Sequence, residues 1–211
     1  MKLLAVDTAL GACSVAVLDG DRALAHVFEP MERGHAEALA PMVGSAMRAA
    51  ALDFAALDRL AATTGPGTFT GQRVGLAFMR GLRVALKRPL IGVTTLAAMG
   101  QQAMAETGLA AYAALHDARR SEVYLQTRDS EPAVLSFDDA LNRIARIEGR
   151  FALAGTAAPE AAAYLPNGAL STVRQPDALW VARLARTMSD TGMPPRPLYL
   201  RAPDAKLPGA K

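Results

Sequence analysis

The fifteen residues from Thr63 to Ala77, Thr-Thr-Gly-Pro-Gly-Thr-Phe-Thr-Gly-Gln-Arg-Val-Gly-Leu-Ala, hold four of the chain's 17 glycines and leave it few ways to fold. An apolar run, Leu60 to Ala62, precedes them and reads as a short strand. Val74 to Leu86 follows with apolar residues at helical spacing. The stretch is therefore expected to be strand, tight turn, helix, with Thr68 or Thr70 as N-cap. Backbone N–H groups exposed at such a helix start invite an anion. Yet no Gly-Lys-Ser/Thr follows, so this is not a phosphate loop with its lysine and magnesium hydroxyl. The dinucleotide pattern also fails, because Gly65-x-Gly67-x-x-Thr70 breaks at its last position. The glycines serve either an anion or the close approach of a second backbone; Gly71 and Gly75, four apart, suit the latter.

The rest of the chain alternates strands and helices around this turn. Leu3 to Val6, Cys13 to Leu18 and Ala23 to Phe28 read as three strands joined by tight turns, with Asp19-Gly20-Asp21 as a hairpin signal. His35 to Ala51 is a helix carrying Leu39, Met42, Val43, Ala46 and Met47 at spacings of three and four. A strand at Leu60 to Thr64, the Gly-rich turn and its helix, a strand at Leu90 to Val93 and a helix at Thr95 to Glu106 complete a first half. The second half reads as Tyr112 to Leu115, a polar turn, a strand at Glu122 to Thr127 and a helix at Asp138 to Ile147. A strand at Phe151 to Ala154 and helices at Pro159 to Tyr164 and, opened by Asp177, at Ala178 to Met188 follow. The Pro-rich tail from Met193 to Asp204 is expected to be extended. Two α/β lobes follow, residues 1–107 and a smaller 108–211. Their strand meander with alternating helices resembles the actin/Hsp70/sugar-kinase fold, in which a β-hairpin with an Asp and a hydroxyl wraps a phosphate. Asp7, Thr8 and Ser14 occupy that place.

Charge and composition exclude more than they assign. The net charge of +3 comes from scattered basic residues with no basic block, which does not mark a nucleic-acid surface. The single cysteine, Cys13, lies in an apolar run and cannot form an internal disulfide, so a reducing, cytoplasmic setting is expected. Asp7 interrupts the only signal-like N-terminal run, and no apolar stretch is long enough to span a membrane. His26, His35 and His116 pair with no other His or Cys at ligand spacing, so no metal site is expected. His116 beside Asp117 has the makings of an oriented base, with Ser121 as the only nearby nucleophile. Asp7 either coordinates magnesium or ties its hairpin. The cluster Asp117 to Glu122 is either a solvated turn or a contact for a partner or phosphate.

Five segments, in order, carry a resemblance. They are Leu3-Leu-Ala-Val-Asp-Thr8, Thr64 to Ala77, Gly92-Val-Thr-Thr-Leu-Ala97, Asp117-Ala-Arg-Arg-Ser-Glu-Val-Tyr124 and Pro197-Leu-Tyr-Leu-Arg201. Together they resemble the bacterial TsaB (YeaZ) family, with Gln72 where that family usually has Leu. The resemblance implies a role in making N6-threonylcarbamoyladenosine in tRNAs that read codons starting with A. It implies a non-catalytic paralogue that docks on the catalytic subunit TsaD and works with the ATPase TsaE. TsaD's His-x-x-x-His metal motif falls on Thr95 and Met99 here, and a third ligand on Asp177. It further implies no tightly bound cofactor, with ATP or ADP handled by the partners. Asp7, Thr8, Gly155 and Thr156 stand where this superfamily handles nucleotide. The chain is expected to pair with itself when alone, to meet tRNA through the complex, and to bind no membrane.

The resemblance implies a partner interface built by the first two long helices. The expected contact set is Leu39, Met42, Val43, Met47, Thr70, Arg73, Val74, Ala77 and Phe78, and a charge at Met42 or Phe78 is expected to abolish docking while leaving the chain folded. The competing readings are an ATP-dependent kinase, a metallopeptidase and a homodimeric scaffold without tRNA involvement.

Overall fold

The computed structural model describes residues 1–201, so the expectation for tail residues 202–204 lies outside the described residues. The chain builds one unit twice. The first copy runs β1 (Lys2–Asp7), β2 (Ala12–Asp19), β3 (Arg22–Pro30), α1 (His35–Ala49), β4 (Arg59–Gly65), α2 (Phe69–Leu86), β5 (Leu90–Thr94) and α3 (Thr95–Thr107). The second runs β6 (Tyr112–Asp117), β7 (Glu122–Thr127), β8 (Ala133–Ser136), α4 (Phe137–Ile144), β9 (Phe151–Ala154), α5 (Ala158–Ala162), β10 (Gly168–Leu170) and α6 (Ala178–Thr187). Each copy forms a five-stranded sheet, ordered β3-β2-β1-β4-β5 and β8-β7-β6-β9-β10. In both, the first three strands run antiparallel and the last two join parallel to the first. This is the actin/Hsp70/sugar-kinase fold.

Alternation along β1 sorts the core. Leu4 and Val6, with Val15 and Val17 of β2, face Leu39, Met42, Val43 and Met47 of α1 and Leu76 and Met79 of α2. Leu3 and Ala5, with Ala16 and Leu18, face the opposite way, onto Ala178, Val181, Ala182 and Ala185 of α6. Because both faces are covered, β1 and β2 are almost continuously apolar. α3 does the converse: Leu96, Met99 and Ala103 pack on Tyr112, Ala114, Ala152 and Ala154 of the second sheet. Each copy's last helix thus covers the other copy's sheet. The expected lobe boundary places α6 with residues 108–211, but its small residues fit the face of β1 and β2.

Two strands escape the sequence pattern. β8 and β10 are short edge strands of four and three residues without a buried alternating face. α2 begins at Phe69, five residues before its apolar run. α1 ends at Ala49, before Ala51 turns to positive φ. α4 ends at Ile144 rather than Ile147. No described helix is long and apolar enough to cross a membrane.

Candidate functional site

The Gly-rich turn meets the β1–β2 turn at the cleft between the lobes. Gly65 has φ +110° and is followed by a cis peptide to Pro66. Thr68, one of the two expected caps, accepts from Gly71 N–H at 3.0 Å. Its own N–H donates to Ala9 C=O at 2.8 Å. The Thr8 hydroxyl donates to Gly71 C=O at 2.7 Å and accepts from Gly75 N–H at 3.0 Å. It therefore sits between two backbone groups that an α-helix would pair with each other. A Cβ on Gly67 would lie 2.3 Å from Ala9 O, and one on Gly71 would lie 2.2 Å from Thr8 O. The glycines permit backbone approach, and at the start of α2 the Gly71 N–H, one of the groups that would attract an anion, is taken by the chain's own Thr68.

Asp7 ends β1 in a fully buried position. Its Oδ1 accepts from the Thr63 hydroxyl at 2.6 Å and from Ala9 N–H at 3.3 Å, while Oδ2 has no partner. Burial pushes its pKa up to about 7, against the lowering effect of those bonds. The second copy repeats the corner. Asp117 ends β6, and its Oδ1 accepts from Arg119 N–H at 2.7 Å. Its N–H donates to Thr156 Oγ1 at 2.9 Å. Gly155 matches Gly65, with φ +106° and a hypothetical Cβ only 1.8 Å from Leu115 O. The four nucleotide candidates are thus two pseudo-equivalent corners, each tied by local bonds. Ser14, grouped with Asp7 and Thr8 in sequence, is bonded elsewhere: its Oγ accepts from Ala178 N–H at 2.8 Å, at the start of α6.

A cleft of about 750 Å³ lies between these corners, lined by Thr68, His116, Asp117, Arg119, Thr156 and Gln175 among others. Its rim mixes Arg33 and Arg119 with Glu32, Glu122 and Glu160. His116 is buried, and desolvation pulls its pKa down to about 4, so it is neutral at pH 7 with Nδ1 unpartnered.

Thr95 and Met99 are both fully buried in α3, sealed between the lobes. Neither offers a competent ligand for a transition metal. Asp177 accepts from Leu179 N–H at 2.8 Å as the α6 cap and lies 2.8 Å from His26 Nε2. Among the described residues no group of three His, Cys, Asp or Glu is arranged for a metal.

The expected partner set divides in two. Leu39, Met42, Val43 and Met47 lie in the chain's own core. The most apolar stripe of α1 is the one the sheet requires, so these four are not a docking surface. On α2, Val74 and Phe78 are half-buried while Thr70 and Ala77 are exposed. Gly81 and Val84 extend that exposed stripe, with Val84 74% exposed. The spacing of seven, four and three from Thr70 through Ala77 and Gly81 to Val84 was the signal that would have found them. Arg73 is engaged by the chain's own tail: its guanidinium sits 3.4 Å over the Phe69 ring, and its Nε donates to Tyr199 Oη at 2.7 Å. Gln72 is 2% exposed and donates from Nε2 to Gly67 C=O at 2.9 Å, which fastens the Gly-rich turn in a way leucine would not.

The doubled unit, with an Asp-ended hairpin from each copy facing one cleft, defines a chain of the actin/Hsp70/sugar-kinase class. The family model described as TsaD, tRNA N6-adenosine threonylcarbamoyltransferase, matches residues 26–175. The tRNA threonylcarbamoyladenosine biosynthesis protein TsaB of Escherichia coli K12 is 34% identical over 166 residues, covering 74% of this chain and 71% of that protein. An uncharacterised protein of Mycobacterium tuberculosis H37Rv is 36% identical over 211 residues, covering 97% and 93%. The solved structure of YeaZ from Pseudomonas aeruginosa matches with a TM-score of 0.73 at 34% identity, covering 88% of this chain and 90% of that one. The chain belongs to the TsaB (YeaZ) family.

Proposed function

We propose that this chain is a non-catalytic subunit in the biosynthesis of N6-threonylcarbamoyladenosine in tRNA. It docks on a TsaD-like catalytic paralogue, and a TsaE-like ATPase completes the complex. The observation that carries the reading is the burial of Thr95 and Met99, at the positions that match the paralogue's metal ligands, inside the interlobe core. The close seating of the α2 start on the Thr8 and Ala9 backbone, with Gly71 N–H taken by Thr68, supports the view that nucleotide is handled by the partners. The docking face is the exposed stripe of α2 from Thr70 to Val84, and the same face pairs two copies when the chain is alone. Its small residues let a second helix approach closely, and its apolar members gain by leaving water. tRNA is met through the assembled complex.

Reconstitution tests this reading. tRNA, a TsaD-like subunit, a TsaE-like ATPase and the threonylcarbamoyl donor are combined with and without the chain. Modification over many turnovers is expected only with it. Val84→Glu and Ala77→Glu are expected to abolish co-purification with the TsaD-like subunit and self-pairing alike, while the circular dichroism spectrum shows the chain still folded. Undiminished turnover in its absence, or threonylcarbamoyl transfer by the chain alone, would sink the proposal.

A further inference from the structure

The tail after α6 crosses both copies of the fold. Arg80 Nη2 donates to Pro195 C=O at 2.5 Å, and Leu198 N–H donates to Thr64 C=O at 2.7 Å. Tyr199 stacks on Phe69 with ring centroids 5.5 Å apart and accepts from Arg73. All these contacts are with the first copy. Two residues further on, the attachment changes sides. Arg201 donates from Nη1 to Ala118 C=O at 2.7 Å and from Nη2 to Arg119 C=O at 3.1 Å, and pairs with Glu122. Ala118, Arg119 and Glu122 belong to the β6–β7 hairpin of the second copy.

That hairpin tip is a costly conformation. Arg119, Arg120 and Ser121 all have positive φ, at 62°, 58° and 60°. Left-handed backbone is unfavourable for each, and three in succession persist only where surroundings over-determine them. Within the hairpin the tip is held by Ala118 N–H to Glu122 C=O at 2.9 Å and Glu122 N–H to Arg119 C=O at 3.1 Å. Arg201 grips the same short turn from outside, on two carbonyls and a carboxylate. The fork geometry of a guanidinium suits this and an ammonium does not. The tail and the tip together wall a cavity of about 320 Å³, whose third wall is Pro66, Gly67 and Gln72 of the Gly-rich turn. Asp117 and Arg119 of the same tip also line the larger cleft.

We propose that residues 194–201 form a latch across the two copies, with Arg201 as its bolt. The latch holds the left-handed tip in place, and the tip sets the width of the interlobe cleft on that side. Tyr199 and Arg73 anchor the near end of the latch at the start of α2. Release of Arg201 frees the tip, lets Arg119 to Ser121 relax to ordinary backbone, and joins the small cavity to the larger cleft.

Hydrogen exchange on the full chain tests this, read on peptides covering residues 112–127 and, as reference, residues 2–19. Arg201→Ala is expected to speed exchange in the hairpin by roughly 10-fold or more while the reference is unchanged. It is also expected to speed tryptic cleavage after Arg119 and Arg120. Arg201→Lys, which keeps the charge opposite Glu122 but not the fork on two carbonyls, is expected to fall between. Hairpin exchange unaltered in Arg201→Ala would overturn the latch. So would equal acceleration in both regions, since that marks general destabilisation, and so would full protection in Arg201→Lys, since a point charge would then suffice.

Discussion

Gly71→Ala would be a stabilising change in most helices, and here it is expected to be a damaging one. Exchanging glycine for alanine inside an exposed helix gains roughly 1 kcal/mol. At Gly71 the new methyl would lie 2.2 Å from Thr8 O and 2.6 Å from Thr68 Oγ1. The first of these is backbone, belonging to the buried turn that follows β1, and cannot rotate away. Relief requires α2 to withdraw from the β1–β2 turn. That strains a close-packed contact at about 1–3 kcal/mol. It also weakens the Thr8 bonds to Gly71 and Gly75, worth about 1 kcal/mol each. Set against the propensity gain, the net loss is about 2 kcal/mol, or roughly 4–8 °C in melting temperature for a chain of this size. Gly81→Ala, in the same helix with nothing within 4 Å of its added Cβ, supplies the control and is expected to stabilise by about 1 kcal/mol. Urea denaturation of the two variants beside the parent measures both shifts. If Gly71→Ala proves as stable as Gly81→Ala, the glycines are not there for backbone approach and the account of the turn fails.

Two further tests concern buried charge. A carboxyl whose folded pKa is raised favours folding when protonated, so the Asp7 contribution is intact below its ordinary 3.8 and is lost as pH climbs toward about 7. Asp7→Asn is therefore expected to match the parent at pH 4 and to exceed it at pH 8, by up to about 4 kcal/mol at the conversion of 1.36 kcal/mol per pKa unit. His116, held neutral, acts in the opposite sense below pH 6.5 but is common to both chains and cancels in the difference. Denaturation curves at the two pH values decide it, and a pH-independent difference would refute the assignment. Met42→Glu is expected to cost more than about 3 kcal/mol, because it leaves a charge unpaired in the core, whereas Ala77→Glu, measured at a dilution where the chain is monomeric, is expected to stay within about 0.5 kcal/mol. Near-equal melting temperatures for these two variants would show that the faces of α1 and α2 have been assigned wrongly.

Much of the fold could be read from residue order because its central strands announce themselves. Apolar runs at Leu3, Cys13, Leu60, Leu90, Tyr112 and Phe151 each became a strand, and the Gly-rich turn placed α2. What was illegible depends on the third dimension. Periodicity marks Leu39, Met42, Val43 and Met47 as one stripe but does not say which neighbour it meets. The sheet had the prior claim, and the surface left exposed is the less apolar side of the helices. The small residues of α6 gave no hint that they return to the first sheet, since alanine spacing is the same whichever sheet lies beneath. Thr8 inserted against α2 and Arg201 gripping a turn some 80 residues upstream join residues remote in sequence, and no local signal encodes either.

The exchange of last helices between the two copies has a consequence for how the chain is made. The underside of the first sheet, Leu3, Ala5, Ala16 and Leu18, is closed mainly by Ala178 to Ala185 of α6, with Ala98 of α3 in the same cluster. Synthesis delivers that helix only after the strands of both sheets have been made. The first hundred residues on their own are expected to form a sheet with most of one face uncovered, and not to be isolable as a stable fragment. Truncation before α6 uncaps the first lobe, not the second. Two halves that look like independent units in their topology fold as one, because each is finished by the other's final turn of chain.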